Sequence, residues 1–388
     1  MSIKVLPGSH ITLAHGNGGR RMRELIEDLF VRHLGHPELD TQADAAPLPL
    51  RSDAGDEFAG SELGPQGGLR RGESQGRDEH QFAESELGPQ GGPRRGESQG
   101  RDEQWLITTD GFTVEPLEFP GGDIGSLAVY GTVNDLAVAG ARPLYLSLNV
   151  FLEEGLAFDV LERITTSLGR CCRECGVRVL AGDTKVVRRG QGGGVYLATT
   201  GIGWKPAGID LGLSRIRAGD RILVSGPLGD HGTAVLLARE QFGLSGDLRS
   251  DAASVLPITE ILLQFPGLRF LRDPTRGGIA TVAWDIAHAT GMTVHLHENE
   301  VPVRDSVRAV CEILGYDPLY LACEGRVVAV MEAGMSEAAV ARLRSEGNLD
   351  AAVVGVIDRG PARVVLHTPW GGERILPELE DDPLPRIC

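Results

Sequence analysis

The sequence predicts a two-domain α/β (α+β) protein, and three observations carry that prediction. At 388 residues with 41% apolar composition, the chain is long enough for two separate cores. Short apolar runs of strand type alternate with helical periodicities twice over, once before and once after a connection near residue 207. Many of the 53 glycines fall where strand-like runs end, as in α/β proteins that handle phosphate. The expected organisation is an N-terminal domain over 1–206, a C-terminal domain over 207–376, and a proline-stiffened tail over 377–388 that is free to travel.

The elements follow in order. Met22, Leu25, Ile26, Leu29, Phe30 and Leu34 recur at helical spacing after the glycine-rich entry His15-Gly16-Asn17-Gly18-Gly19. The stretch 47–104 breaks the pattern. Within it, 61–79 recurs at 85–103, an offset of 85 − 61 = 24 residues, differing only at Leu69 against Pro93. Rich in Gly, Pro, Gln and mixed charge, it lacks the apolar residues that would offset its ordering entropy, so it reads as a disordered surface insertion. Strand signals resume over 105–109, ending at Asp110-Gly111, and over 144–151. Between them, 124–139 reads as an apolar helix with one polar pair, Asn134-Asp135. A helix over 156–176 leads to a strand over 177–181 that stops at Gly182-Asp183-Thr184-Lys185, and 195–203 closes the first unit. After the connection 204–210 come a strand over 221–225, a turn over 226–232 and a helix over 233–240. A helix over 277–289, strands over 293–297 and 326–331, a helix from a Ser336 cap to 344, and strands over 352–357 and 363–367 complete the second unit.

A formal net charge of −16, from 54 acidic against 38 basic residues, disfavours nucleic acid and anionic membranes as partners. The first residues lack the apolar core of a signal peptide and no run is long enough to cross a bilayer, so the expected location is the cytoplasm. There the six cysteines stay reduced. Cys171, Cys172 and Cys175 have no second cluster to complete a zinc site and are expected to fill a helix face.

No P-loop or convincing dinucleotide fingerprint occurs. The chain instead carries aspartates at strand ends or inside apolar helices: Asp110, Asp123, Asp135, Asp183 and Asp273. Carboxylates among apolar neighbours are costly unless paired or bound to a cation, and several together suggest magnesium and a nucleotide, although capping or a turn explains any one alone. Gly16–Gly19 and Arg276-Gly277-Gly278 each open a helix, where unpaired N–H groups attract phosphate. Lys185 either stabilises a transferring phosphoryl group or simply pairs with Asp183. His231 is a turn residue or a contact to the tail. Cys388 ends the chain, so its thiol is able to enter a pocket and carry a group.

Taken together, 13–19, 119–125, Gly131-Thr-Val-Asn-Asp-Leu-Ala137, Gly182-Asp-Thr-Lys-Val-Val187, 228–232, Asp273-Pro-Thr-Arg-Gly-Gly278, Glu324-Gly325 and the closing Pro385-Arg-Ile-Cys388 resemble the HypE family of carbamoyl dehydratases, within the AIR synthetase (PurM) superfamily. The resemblance implies a PurM-like fold whose N-terminal domain dimerises through its sheet, with ATP and Mg2+ held in a cleft. It implies that a partner, HypF, carbamoylates Cys388, that the thiocarboxamide is dehydrated to a thiocyanate, and that the cyano group passes to iron on a HypC–HypD complex, supplying the ligand for a [NiFe] hydrogenase. By motif, Cys388, Lys185 and Glu324 take the catalytic roles. Gly18, Gly19, Asn134, Asp183, Arg276 and Gly277 fall to ATP, and Asp110, Asp135 and Asp273 to magnesium. Two alternatives stand beside this reading: a selenophosphate synthetase-like kinase, disfavoured because His15–Gly19 holds no reactive cysteine, and a non-catalytic assembly scaffold.

Overall fold

The computed structural model describes residues 10–16, 20–36, 103–240, 247–380, 384 and 387. The tandem duplication lies outside them, apart from Glu103 at its end. Near the start, α1 (Arg20–Leu25) passes through a π-helical stretch, Ile26–Val31, into α2 (Arg32–Leu34). Leu25, Leu29 and Phe30 bury the face that their spacing predicts.

The first sheet is built from β1 (Gln104–Phe112), β4 (Arg142–Glu153), β5 (Arg178–Val187) and β6 (Val195–Lys205), ordered β1-β6-β4-β5. A two-residue pair, β2 (Glu118–Phe119) and β3 (Gly122–Asp123), leads into α3 (Ile124–Val138). Asp123 caps α3: its side chain accepts the Ser126 N–H while the Ser126 hydroxyl accepts the Asp123 N–H. Together with α4 (Phe158–Cys175), α3 covers one face of the sheet, and Cys171, Cys172 and Cys175 are buried in that layer. The other face is left open and carries Trp105, Ile107 and Phe151.

Two strands run further than their sequence suggests. β1 continues through Asp110-Gly111, and β5 continues through Gly182-Asp183-Thr184-Lys185, which had read as a turn. Gly182 marks a close approach rather than a reversal, since a side chain there would meet the Leu148 carbonyl of β4.

The second sheet has seven strands in the order β13-β12-β9-β11-β7-β10-β8. They are β7 (Arg221–Val224), β8 (Leu268–Arg272), β9 (Thr293–His297), β10 (Val328–Met331), β11 (Ala352–Asp358), β12 (Arg363–His367) and β13 (Glu373–Ile375). Alternation divides its side chains between two cores. Ile222, Val224, Phe270, Val328 and Val330 meet α7 (Gly278–Thr290) on one face. Leu223, Leu271, Ala329 and Met331 meet α6 (Leu256–Leu262) and α9 (Ala333–Ser345) on the other. Ala137 and Val138 from the end of α3 join this second core, tying the two sheets together. α9 begins three residues before Ser336, whose hydroxyl donates to the Ala333 carbonyl from inside the first turn. The remaining helices are α5 (Asp230–Arg239) and α8 (Asp305–Leu314). No helix among the described residues is long and apolar enough to cross a membrane.

Candidate active site

An apolar helix gives the site its centre. Every residue of α3 is buried except Asp135, whose carboxylate opens toward a cleft of about 650 Å³. Asp135 accepts a hydrogen bond from the Thr108 hydroxyl at 2.8 Å, and Asp110 stands two residues further along β1 on the same face. Asp110 accepts the Gly111 N–H at 2.7 Å and faces the Arg276 guanidinium at 3.8 Å. Asp273 and Arg276 follow β8, so both sheets contribute to one acidic cleft.

These carboxylates raise one another. Burial, then the charges of Asp135 and Asp110, push Asp273 up to about 7. Glu324 is pushed well above the carboxylate range by burial, then by Asp273, Asp251, Asp110 and Asp135. Burial also raises Asp110 and Asp135. Four carboxylates thus share one electrostatic neighbourhood in which ionising all of them is unfavourable. Among the described residues no three His, Cys, Asp or Glu side chains are placed to hold a metal ion by themselves. Magnesium does not require that, because it binds through one or two carboxylates and fills its octahedron with water and phosphate oxygens.

Among the described residues, Glu324 has one carboxylate oxygen, Oε1, with no hydrogen-bond partner in a buried position, while its backbone is clamped on three sides. Its N–H donates to Asp251 at 3.1 Å, its carbonyl accepts from Asn134 Nδ2 at 3.0 Å, and the preceding Cys323 N–H donates to the Pro274 carbonyl at 3.0 Å. Asp251 also accepts the Gly325 N–H and lies 3.4 Å from Arg326, which reaches Asp230 at 3.7 Å. Asn134, expected at the nucleotide, spends its amide on this frame: Nδ2 also donates to the Ala253 carbonyl, and Oδ1 accepts the Val255 N–H. Adjacent helix positions point about 100° apart, so Asp135 faces the cleft while Asn134 braces its wall.

Gly277 and Gly278 both take left-handed backbone, φ 68° and 58°, where α7 begins. A side chain at Gly278 would strike the Leu319 and Leu321 carbonyls, so glycine lets this helix start beside Arg276, its first N–H donating to the Thr275 carbonyl at 3.4 Å.

Lys185 and Asp183 stand elsewhere. They form an exposed ion pair at 2.9 Å on β5, the edge of the first sheet opposite β1. The register aligns Asp110 with Thr199, Leu148 and Gly182 in one row across the four strands. Three strand spacings separate the edges, roughly 14 Å. Asp183 and Lys185 also project from the open face, whereas Asp110 and Asp135 lie on the helix-covered face. Gly16, from the glycine-rich entry, packs against the same strand: a side chain there would collide with Val186 of β5. Gly18, Gly19 and Cys388 lie outside the described residues.

The end of the chain returns to the cleft wall. Trp284 Nε1–H donates to the Leu376 carbonyl at 3.1 Å, the Tyr320 hydroxyl to the Pro377 carbonyl at 2.7 Å, and Leu379 lies against Gly277. Leu384 and Ile387 are buried in the same core as Cys171, Leu236 and Val307. The Ile387 carbonyl accepts from His231 Nε2 at 2.9 Å, which settles His231 as a tail contact. Thr108, Ser250 and Asp251 carry no local motif, and only three-dimensional placement identifies them.

Residues 98–204 match the family model of AIR synthase related protein, N-terminal domain, and 217–367 that of its C-terminal domain. The carbamoyl dehydratase HypE of Azotobacter vinelandii is 40% identical across the whole of both chains. A crystal structure of hydrogenase maturation protein HypE in complex with ATP superimposes with a TM-score of 0.79 at 40% identity, covering 97% of this chain and 99% of that one. The crystal structure of a HypE–HypF complex matches with a TM-score of 0.68 at 40% identity, over 72% of this chain and 90% of that one.

Proposed function

Because this chain belongs to the HypE family of carbamoyl dehydratases, we propose that it uses ATP to dehydrate a carbamoyl group carried on Cys388. The observation that carries this reading is the joining of tail and cleft. His231 holds the Ile387 carbonyl, the next residue, Gly232, donates its N–H to the Ala322 carbonyl at 3.0 Å, and Glu324 follows two residues on. These contacts link Ile387 to the segment that carries Glu324, which supports a carrier tail working with this cleft.

A thiocarboxamide oxygen is a poor leaving group. Transfer of the γ-phosphoryl of ATP to that oxygen converts it into phosphate; loss of both nitrogen protons and of the phosphate then forms the C≡N bond of a thiocyanate. Asp110, Asp135 and Asp273 have the donor chemistry and mutual repulsion that suit Mg2+, which when bound would neutralise charge on the phosphates. Arg276 and the positive end of the α7 dipole supply the protein's own positive charge to the transferring group. Glu324, with one oxygen free of partners among the described residues, is the proton acceptor; burial raises it first, and neutralising the neighbouring carboxylates would lower it.

In this reading HypF loads the thiol, a HypC–HypD complex receives the cyano group, and the reaction serves [NiFe] hydrogenase maturation in the cytoplasm. The open sheet face bearing Trp105, Ile107 and Phe151 supports a homodimer in which a second copy covers it, bringing Lys185 and Asp183 out of solvent.

The test is the mass of the C-terminal peptide after incubation with HypF and carbamoyl phosphate. A carbamoyl adduct forms before ATP reaches the dehydratase, and an adduct lighter by one water appears after it. Cys388→Ala must abolish both; thiocyanate formed by that variant overturns the reading.

A further inference from the structure

His231 is fully buried in the first turn of α5, and both ring nitrogens are engaged. Nε2 meets the Ile387 carbonyl at 2.9 Å, and a carbonyl only accepts, so Nε2 carries the hydrogen. Burial lowers the ring to about 4, which keeps it neutral at physiological pH. Nδ1 must then accept, and the Ser250 hydroxyl at 2.8 Å supplies the proton. Ser250 is fixed in turn: its Oγ accepts the Ala252 N–H at 3.0 Å, and its own N–H donates to the Pro120 carbonyl at 2.8 Å. Gly121, at φ 98°, permits that approach, because a side chain there would meet Ser250. Phe119 closes the pocket with its ring edge against the imidazole, centroids 5.5 Å apart at 83°. The pocket exists around one carbonyl, and that carbonyl belongs to the peptide bond joining Ile387 to the last residue.

We propose that His231, held in a single tautomer by Ser250, is a positioning residue that latches this final peptide and so aims the terminal thiol at the cleft. The inference rests on the reading of Cys388 as the carrier. A peptide unit is planar, so holding the Ile387 carbonyl restricts the freedom of the chain that follows it. Leu384 and Ile387 supply burial without direction, while the imidazole supplies direction through one hydrogen bond. A single neutral bond of this kind leaves the tail able to detach for loading, which a carrier requires.

Three variants of the full chain test the latch: His231→Leu, His231→Gln and Ser250→Ala, each checked for folding by circular dichroism. Without ATP or partner, iodoacetamide should alkylate Cys388 about tenfold faster in folded His231→Leu than in wild type, the kinetic worth of one lost hydrogen bond. His231→Gln keeps an N–H donor near the Nε2 position and should restore slow alkylation to within about threefold. Ser250→Ala should give an intermediate rate while leaving the ring's packing in place. If His231→Leu fails to fold, the contrast between Ser250→Ala and wild type decides. Pre-carbamoylated protein should show single-turnover dehydration about tenfold slower in His231→Leu, with the KM for ATP unchanged. Wild-type alkylation in every folded variant, or a defect that His231→Gln does not relieve, overturns the latch. Because alkylation needs no carbamoyl chemistry, a wild-type protein that shows the alkylation contrast yet never forms the dehydrated adduct overturns the carrier reading and leaves the latch standing.

Discussion

Asp273→Asn should make the protein more stable and inactive at once. Asp273 is held at about 7 against an ordinary 3.8, so the folded chain binds this proton more tightly than the unfolded chain does. Its stabilising contribution is therefore fully present below about pH 4 and is lost as pH rises through 7. A difference of about 3 units at 1.36 kcal/mol each sets an upper bound of about 4 kcal/mol on the loss. Burial is the main cause of this shift and the charges of Asp135 and Asp110 add to it, so removing the one ionisable group recovers about 2–4 kcal/mol. Asparagine has nearly the same shape and no charge to desolvate. In chelator and without nucleotide, urea denaturation should find Asp273→Asn more stable than wild type by about 2–4 kcal/mol near pH 8, and the two within about 1 kcal/mol near pH 4. ATP-dependent dehydration should fall by about a hundredfold or more, as for a charge aimed at phosphoryl transfer. An equal stability difference at both pH values, or a less stable variant near pH 8, would refute the claim that burial and neighbouring carboxylates make an ionised Asp273 costly in the folded chain.

Asn134→Ala should lower stability by about 2–4 kcal/mol in urea titration, since it leaves the Ala253 and Glu324 carbonyls and the Val255 N–H without their partner in a buried site. Lys185→Met breaks an exposed pair and should change stability by less than about 0.5 kcal/mol, yet lower dehydration at least tenfold if a second copy brings that edge to the chemistry; unchanged turnover would remove Lys185 from the reaction. Ile107→Asp places a charge on the open sheet face and should shift sedimentation from dimer toward monomer, whereas an unchanged profile would show that this face is not the interface.

The fold was legible where one periodicity dominated. The strand over 293–297 and the helix over 277–289 reappear as β9 and α7 with boundaries shifted by a residue at most, because β-branched alternation and helical spacing each had a single reading there. β8, α6 and α8 gave no such signal. Leu268–Arg272 alternates too briefly between its two cores, and Leu256–Leu262 spans only two turns, so tertiary packing makes both elements. Gly182-Asp183-Thr184-Lys185 misled in the opposite direction. Its residues favour turns, but an edge strand tolerates them: glycine eases the approach to Leu148, and the charged pair points outward.

The acidic cleft shows the same division on a smaller scale. Asp135 stood out in sequence as a charge in an apolar helix, and the structure gives the reason: it is the one residue of α3 that is not buried. Asn134, its neighbour, looked equally chemical and turned to the wall, since a helix cannot aim consecutive residues at one target. Asp251, as deeply buried as Glu324 and in direct contact with it, drew no notice because its partners lie far away in sequence. Carboxylates announce themselves where local context makes them expensive. Those that brace other carboxylates do not, because their cost is offset by distant backbone N–H groups and by Arg326, which pattern alone cannot connect.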